Sequence, residues 1–203
     1  MKLVFASNNA HKLREVREIL PSHIEVLSLQ DIGFVGDIAE TGATLEENSA
    51  IKARAVWQWM SLHSFPETAT VNGVFADDTG LEIAALQGAP GVHTARWAGE
   101  PACDAANRQK ALQALQGITL RDARFRTVVT LIMTGEMQQV EGFVNGKIAL
   151  EESGKGGFGY DPIFIPEGYD QTFACLTEEQ KNSISHRCRA MQALCRLLND
   201  LKQ

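Results

Sequence analysis

Lys2-Leu3-Val4-Phe5-Ala6, then Ser7-Asn8-Asn9-Ala10-His11-Lys12, then Leu13-Arg14-Glu15-Val16-Arg17-Glu18-Ile19-Leu20 is the stretch that decides the fold class. The first run is apolar and too short for a helix, so it reads as a buried strand. The second is a polar turn. In the third, Leu13, Val16, Ile19 and Leu20 recur at helical spacing. Strand, polar turn and helix in this order open an α/β chain. Such a turn aims the unpaired amides of a helix N-terminus at an anion, and Lys12 adds a positive charge. A polar turn with a solvated lysine is the other reading of the same residues. The glycine pattern of a Walker A loop is missing.

Outward from this opening, Glu25 to Leu29 reads as a second strand. Thr44-Leu45-Glu46-Glu47 is a capping-box pattern that begins a helix running to about Met60. Gly73 to Ala76 reads as a strand ending in Asp77-Asp78-Thr79-Gly80, with Leu81 to Ala85 as another. Gln87 to Gly99 is loop-like and Asp104 to Leu115 helical. Arg124 to Thr134 is rich in Val, Thr, Ile and Phe, which predicts a strand; Gly135-Glu136 turns it into a partner, Gln138 to Asn145, which Gly146 to Leu150 extends. The last helix carries Ala190, Met191, Leu194, Leu197, Leu198 and Leu201 on one apolar side. The pattern is α/β with antiparallel pairing in its second half, rather than a plain doubly wound parallel sheet. No internal repeat, low-complexity tract or linker divides residues 1–203, so a single domain is expected, with room for two lobes.

The chain has 203 residues, 44% of them hydrophobic, enough for a substantial core. Its formal net charge of -6 favours a small substrate over a nucleic-acid backbone. The four cysteines, Cys103, Cys175, Cys188 and Cys195, form no CxxC pair and no zinc-like spacing. Scattered thiols fit a reducing compartment. The first residues enter a strand without signal-peptide flanks, and no run approaches membrane-spanning length. A cytoplasmic protein without membrane or nucleic-acid partners is expected.

The acidic candidates for chemistry are Glu40, Glu46, Glu47, Asp77 and Asp78. Magnesium takes hard oxygen ligands, commonly one or two carboxylates plus substrate phosphates. A carboxylate can also deprotonate an attacking water. Glu46 and Glu47 are explained equally by the dipole of the helix whose first turn they occupy. Asp77 and Asp78 are neighbours on a strand and point to opposite faces, so one reaches a given cleft and local pattern does not say which. The substitution Asp77→Asn should be the milder one if Asp77 points away. Asn48 and Lys52, four apart, share a helix face, as a polar wall or as solvated surface.

In Gly156-Gly157-Phe158-Gly159-Tyr160-Asp161-Pro162, glycines allow close backbone approach. The two aromatics read either as a stacking platform for a base or as core residues. Lys181-Asn182-Ser183-Ile184-Ser185-His186-Arg187 precedes the last helix. A positive charge at a helix start is unfavourable, which argues for a polar task for Arg187. As a donor-only group it suits a carbonyl oxygen.

Together these motifs resemble the inosine triphosphate pyrophosphatase family, whose members act on non-standard purine nucleoside triphosphates. The resemblance runs in order through Ala6 to Lys12, Glu40-Thr41-Gly42, Glu47 to Ala53, Ala76 to Leu81, Gly88-Ala89-Pro90-Gly91-Val92, Gly156 to Pro162 and Lys181 to Arg187. Each motif is weak alone; the ordered set is highly specific. The resemblance implies a homodimer of elongated, two-lobed α/β subunits, each built around a mixed twisted sheet with a central substrate cleft. It implies that Ser7, Asn8, Asn9, Ala10, His11 and Lys12 hold the triphosphate, with Lys52 nearby. It implies magnesium at Glu40 and Asp78, with Asp78 as catalytic proton acceptor and Thr79 contacting substrate. Phe158, Gly159, Tyr160, Asp161, Lys181, His186 and Arg187 would hold the base. Asn8 and His11 stand where relatives often carry glycine, and Thr79 where many carry serine.

The implied reaction is hydrolysis of ITP, dITP or XTP to the monophosphate and pyrophosphate, which clears deaminated purines from the nucleotide pool. A pyrophosphatase for other modified nucleotides and a non-catalytic nucleotide-binding regulator are the alternatives. Glu40, Asp78 and Lys12 weigh against the second.

Overall fold

The computed structural model describes residues 1–63 and 70–201. Its main elements are β1 (Lys2–Phe5), α1 (Ala10–Ile19), β2 (Glu25–Leu27), α2 (Leu45–Leu62), β3 (Gly73–Ile83), β4 (Pro90–Gly91), α3 (Asp104–Ala114), β5 (Asp122–Met133), β6 (Glu136–Ile148), β7 (Phe164–Pro166), α4 (Glu178–Ile184) and α5 (His186–Asp200). The strands hydrogen-bond in the order β2-β1-β3-β5-β6-β7, and β4 pairs with β3. β1 runs parallel to β2 and β3, with Val4 opposite Leu27 and Val74. β3 and β4 are antiparallel, as are β6 and β7. The sheet is therefore mixed, as the sequence pattern predicts.

β5 and β6 are joined by Thr134 and Gly135, both at positive φ (52° and 84°). A two-residue turn with that geometry matches the twist of antiparallel strands. The turn sits one residue earlier than Gly135-Glu136, because Thr134 accepts the left-handed conformation and Glu136 joins the strand.

The chain divides into two compact units, one comprising Met1–Asp78, Thr127–Gly142 and Arg187–Gln203, the other Thr79–Arg126 and Phe143–His186. In the first, side chains alternate across β1 and β3. Leu3, Phe5 and Phe75 join Val16 and Leu20 of α1 and Ala190, Met191, Leu194 and Leu198 of α5 in one buried cluster. Val4, Ala6, Val74 and Ala76 join Ala53 and Val56 of α2 in another. The period of two thus assigns Phe75 of β3 to α1 and α5, and Val74 and Ala76 to α2. The second unit has its own core, in which Leu81, Ile83, Phe125, Val144, Ile148, Ile163, Phe164 and Phe173 pack with Ala111 and Leu115.

The expected strand end at Asp77-Asp78 is not there. β3 continues unbroken from Gly73 to Ile83 with both aspartates inside it. Carboxylates are poor strand residues unless something neutralises them, and here each meets a cation, as described below. The second strand stops at Leu27 rather than Leu29, and α2 runs to Leu62 rather than Met60. Lys181 to Ile184 belong to a separate helix, α4, whose Thr177–Gln180 capping box was not foreseen. No helix among the described residues is long and apolar enough to cross a membrane.

Candidate functional site

The candidate residues divide between the two units. In the first, α1 begins at the polar turn as expected. Asn9 is its N-cap, its side chain accepting from Lys12 N at 3.0 Å, and Ser7 Oγ accepts from Asn9 N at 3.2 Å. Capping fixes the direction in which the helix presents its first-turn amides. Asn8 donates to Gly36 O (3.2 Å) and to Asp37 Oδ1 (3.0 Å), so this residue ties the turn to the loop before Glu40. His11 is exposed on the first turn of α1.

Because Asp77 and Asp78 face opposite ways on β3, each serves a different helix. Asp78 Oδ1 accepts from Lys52 Nζ of α2 at 3.1 Å, and the same ammonium lies 2.6 Å from Glu40 Oε1. Lys52 is buried, not a solvated surface lysine. Its place follows from α2, where Ser49, Lys52, Ala53 and Val56 share the buried face. Asp78 Oδ2 is buried with no hydrogen-bond partner. Burial, reinforced by the charge of Glu40, holds the Asp78 carboxyl above its ordinary range against the pull of Lys52 and Lys12. Burial pushes Lys52 down, but Asp78, Asp77 and Glu40 outweigh it and leave this ammonium above its usual value.

Glu40 is steered by the start of α2. Asn48 Oδ1 accepts from Gly42 N (2.8 Å), and Glu47 Oε2 accepts from Ala43 N (2.6 Å) while Thr44 Oγ1 accepts from Glu47 N (3.1 Å). The capping glutamate reaches Ala43, one residue before the cap. A Cβ on Gly42 would lie 2.6 Å from Glu47 Cβ and 2.8 Å from Asn48 Oδ1, so no larger residue fits without moving this loop. Misplacing a catalytic group by about 1 Å can cost about 10²-fold in rate. The variant Gly42→Ala is therefore expected to lose kcat/KM on roughly that scale; undiminished turnover would show that the loop carrying Glu40 adjusts freely.

Asp77 is no bystander. Fully buried, it accepts from Lys12 Nζ at 2.9 Å and from Arg187 Nε at 3.1 Å, and Arg187 Nη1 in turn donates to Glu15 Oε2. Burial alone would raise the Asp77 carboxyl, but Lys12, Arg187 and Lys52 hold it far below the usual carboxylate range. Burial lowers Lys12, with Asp77 opposing. Lys12, Asp77, Arg187 and Glu15 are a chain of alternating charges inside the protein. Asp77 points away from Asp78, yet it anchors Lys12 and Arg187, which argues against Asp77→Asn being the milder substitution.

Glu15 was missed from sequence. Its signal was available: Lys12, Glu15, Val16 and Ile19 lie at i, i+3, i+4 and i+7, which puts a Lys and a Glu on the apolar face of α1. Arg187, whose awkward position argues for a polar task, donates to two carboxylates, Asp77 and Glu15.

In the second unit, Asp161 Oδ2 accepts from Lys181 Nζ (2.7 Å) and from Phe158 N (2.8 Å), and the Lys181 ammonium lies 4.8 Å from the centre of the Phe158 ring. Asp161 and Lys181 are buried and Phe158 half-buried. Gly157 cannot be enlarged, because a Cβ there would overlap the Asp161 carboxylate. Tyr160 takes the core alternative: it is buried and donates its hydroxyl to Thr94 O (3.0 Å). Burial and the charge of Asp104 raise its phenol well above the usual value. His186 is buried and stacks on Phe125 at 4.7 Å. Thr79 is half-buried and follows Asp78 on β3.

One cluster thus combines two lysines with Glu40 and Asp78, the groups needed to neutralise a polyphosphate and hold a hard cation. The other offers an aromatic ring beside a buried Asp–Lys pair. Among the described residues no group of three or more His, Cys, Asp and Glu is arranged to hold a metal. Two carboxylates that converge on one ammonium, one of them with an unpartnered buried oxygen, fit magnesium, which completes its shell with phosphates and water.

Comparison with known proteins adds three findings. A family model described as "Ham1 family" matches residues 3–197. Among curated relatives, a dITP/XTP pyrophosphatase of Porphyromonas gingivalis is 48% identical over 95% of each chain. One of Bacillus subtilis is 46% identical over 96% of each. Among solved structures, the Ham1 protein of Staphylococcus aureus has a TM-score of 0.83 at 38% identity, covering 98% of this chain and 99% of that one.

Proposed function

The chain belongs to the Ham1 family, and from that premise we propose that it hydrolyses deaminated purine nucleoside triphosphates, ITP, dITP and XTP, to the monophosphate and pyrophosphate. It is a nucleoside triphosphate pyrophosphatase, a reading supported by relatives so named along nearly its whole length. The observation that carries the mechanism is the meeting of Lys52 with both Glu40 and Asp78, where Asp78 keeps one buried oxygen without a partner. The family match spans both units, which supports reading residues 1–203 as one functional domain.

In this mechanism Ser7 to Lys12 receive the triphosphate on the capped N-terminus of α1. Lys12 and Lys52 neutralise its charge. Asp78 takes the proton from the attacking water. Water oxygen bonds to the α-phosphorus, the bond from that phosphorus to the bridging oxygen breaks, and pyrophosphate leaves. Glu40 and Asp78 would hold magnesium, which supplies further charge neutralisation on the phosphates. Phe158 stacks on the purine, and Asp161, Lys181, His186 and Arg187 shape the base side, with Arg187 the donor suited to the 6-oxygen. Arg187 is pinned by Asp77 and Glu15, which fixes the plane of its guanidinium. A cytoplasmic homodimer completes the proposal; the family resemblance supports it, and sedimentation of the purified protein tests it.

The deciding experiment is a panel of nucleoside triphosphates assayed with and without magnesium, with both products identified. We expect dITP and XTP to be preferred over dATP, pyrophosphate to be the first inorganic product, and excess chelator to abolish turnover until magnesium is restored. Orthophosphate and diphosphate as first products would refute the bond assignment. Full activity in chelator would refute the metal.

A further inference from the structure

Helix α3 (Asp104–Ala114) buries little: Asn107 and Ala111 are its buried residues. Its second half packs on the core through Ala111 and Leu112, and its first turns are held by polar contacts. Asp104, Asn107 and Arg108, spaced at three and four residues, share one face. Asn107 accepts from Ala98 N (2.7 Å) and donates to Ala95 O (2.9 Å), which fixes the helix to the segment before it. The two residues flanking Asn107 on that face reach instead to Gly159. Asp104 Oδ2 accepts from Gly159 N (2.8 Å), and Arg108 Nη1 donates to Gly159 O (2.9 Å). Both backbone polar groups of one residue are thus held by side chains of one helix. Arg108 is steadied in turn by Glu152, 3.0 Å from its Nε.

Gly159 lies between Phe158 and Tyr160 at φ +60°, a conformation that glycine adopts without cost. The same freedom makes the segment from Gly154 to Gly159 expensive to order. The grip of α3 meets that cost before any ligand arrives, which is how a preorganised site gains affinity.

We propose that Asp104 and Arg108 are positioning residues for purine recognition: by holding the Gly159 peptide they keep the Phe158 ring and the Asp161–Lys181 pair in one arrangement. The inference rests on the reading of the Phe158 segment as the base side. The residues assigned to the phosphates and the proton, Lys12, Lys52 and Asp78, belong to the first unit. Loosening the grip therefore raises KM and leaves kcat nearly intact.

The test uses the full chain with Arg108→Met and Asp104→Ala, read by steady-state kinetics on dITP and by the inhibition constant of inorganic tripolyphosphate, which carries the phosphates without a base. The KM for dITP should rise about tenfold in each variant, the effect of losing one charge-assisted hydrogen bond. The tripolyphosphate constant should stay as in the parent, and Arg108→Lys, whose ammonium still donates, should recover part of the loss. Unchanged KM overturns the proposal, as does a tripolyphosphate constant that rises together with KM. Phe158→Ala in the same assay separates the proposal from the reading beneath it. If Phe158→Ala raises KM and the α3 variants do not, the grip alone is wrong. If Phe158→Ala leaves KM unchanged, the base-side reading fails and takes the grip with it.

Discussion

The substitution Asp78→Asn is expected to abolish most turnover while leaving the protein folded. Asparagine has nearly the same shape, and its carbonyl oxygen can still accept from Lys52 Nζ where Asp78 Oδ1 accepts now. The amide cannot take a proton from water. Loss of general-base assistance alone costs roughly 10²–10⁴-fold in kcat, and a weakened hold on magnesium would add to it. Stability should fall less than on losing Asp77, although Lys52 loses the carboxylate that most supports its charge. Burial and the neighbouring Glu40 hold the carboxyl above its ordinary range, so the ionised form is the one that folding disfavours, and a neutral amide removes that penalty. Lys52 keeps its 2.6 Å contact with Glu40. A folded Asp78→Asn protein with kcat within about tenfold of the parent would remove Asp78 from the proton-acceptor role. A melting temperature above that of Asp77→Asn, beside the loss of turnover, would mark the residue as functional rather than structural, the usual trade between stability and activity at a reacting centre.

The parts of the fold that local rules govern were readable in the sequence, and so were most of the candidate residues. The opening from Leu3 to Leu20 reads correctly because a short apolar run and a 3.6-residue period cannot be exchanged. The cap at Thr44 reads correctly because Thr and Glu at that spacing satisfy helix amides with their own side chains. Asp77 and Asp78 were misread as a strand end for a physical reason. Strand propensity measures how a side chain packs on its neighbours, and the neighbours that admit these carboxylates, Lys12, Lys52 and Arg187, are tens of residues away in sequence. The choice between Lys52 as wall and Lys52 as surface had the same origin, since only packing of α2 on β3 buries it. Tyr160 and Phe158, equivalent in the sequence, part company because Tyr160 finds an acceptor at Thr94 O and enters the core. The hold of α3 on Gly159 had no local signature, because Asp104 and Arg108 read as ordinary helix-surface charges.

Asp77→Asn should be more damaging to the fold than Asp78→Asn. Asp77 is fully buried and answers two cations, Lys12 and Arg187, and Arg187 is shared with Glu15. The four groups carry two charges of each sign, and removing one carboxylate leaves a buried excess of positive charge. Breaking a buried ion pair from one side costs about 3–5 kcal/mol. In a chain of this size each kcal/mol moves the melting temperature by roughly 2–4 °C, so a fall on the order of 10 °C is expected. Lys12, already lowered by burial, would relieve part of the excess by losing its proton and with it the charge it offers to phosphate. Surviving folded enzyme should therefore show a raised KM for every triphosphate, dITP and dATP alike. The network also predicts coupling. Arg187→Met removes the cation that Asp77→Asn strands, so the double variant should lose less stability than the two single losses added together, by about 0.5–3 kcal/mol. Additive losses, or a melting temperature for Asp77→Asn within about 2 °C of the parent, would mean that Asp77 and Arg187 do not depend on each other and that Lys12 is held by something else.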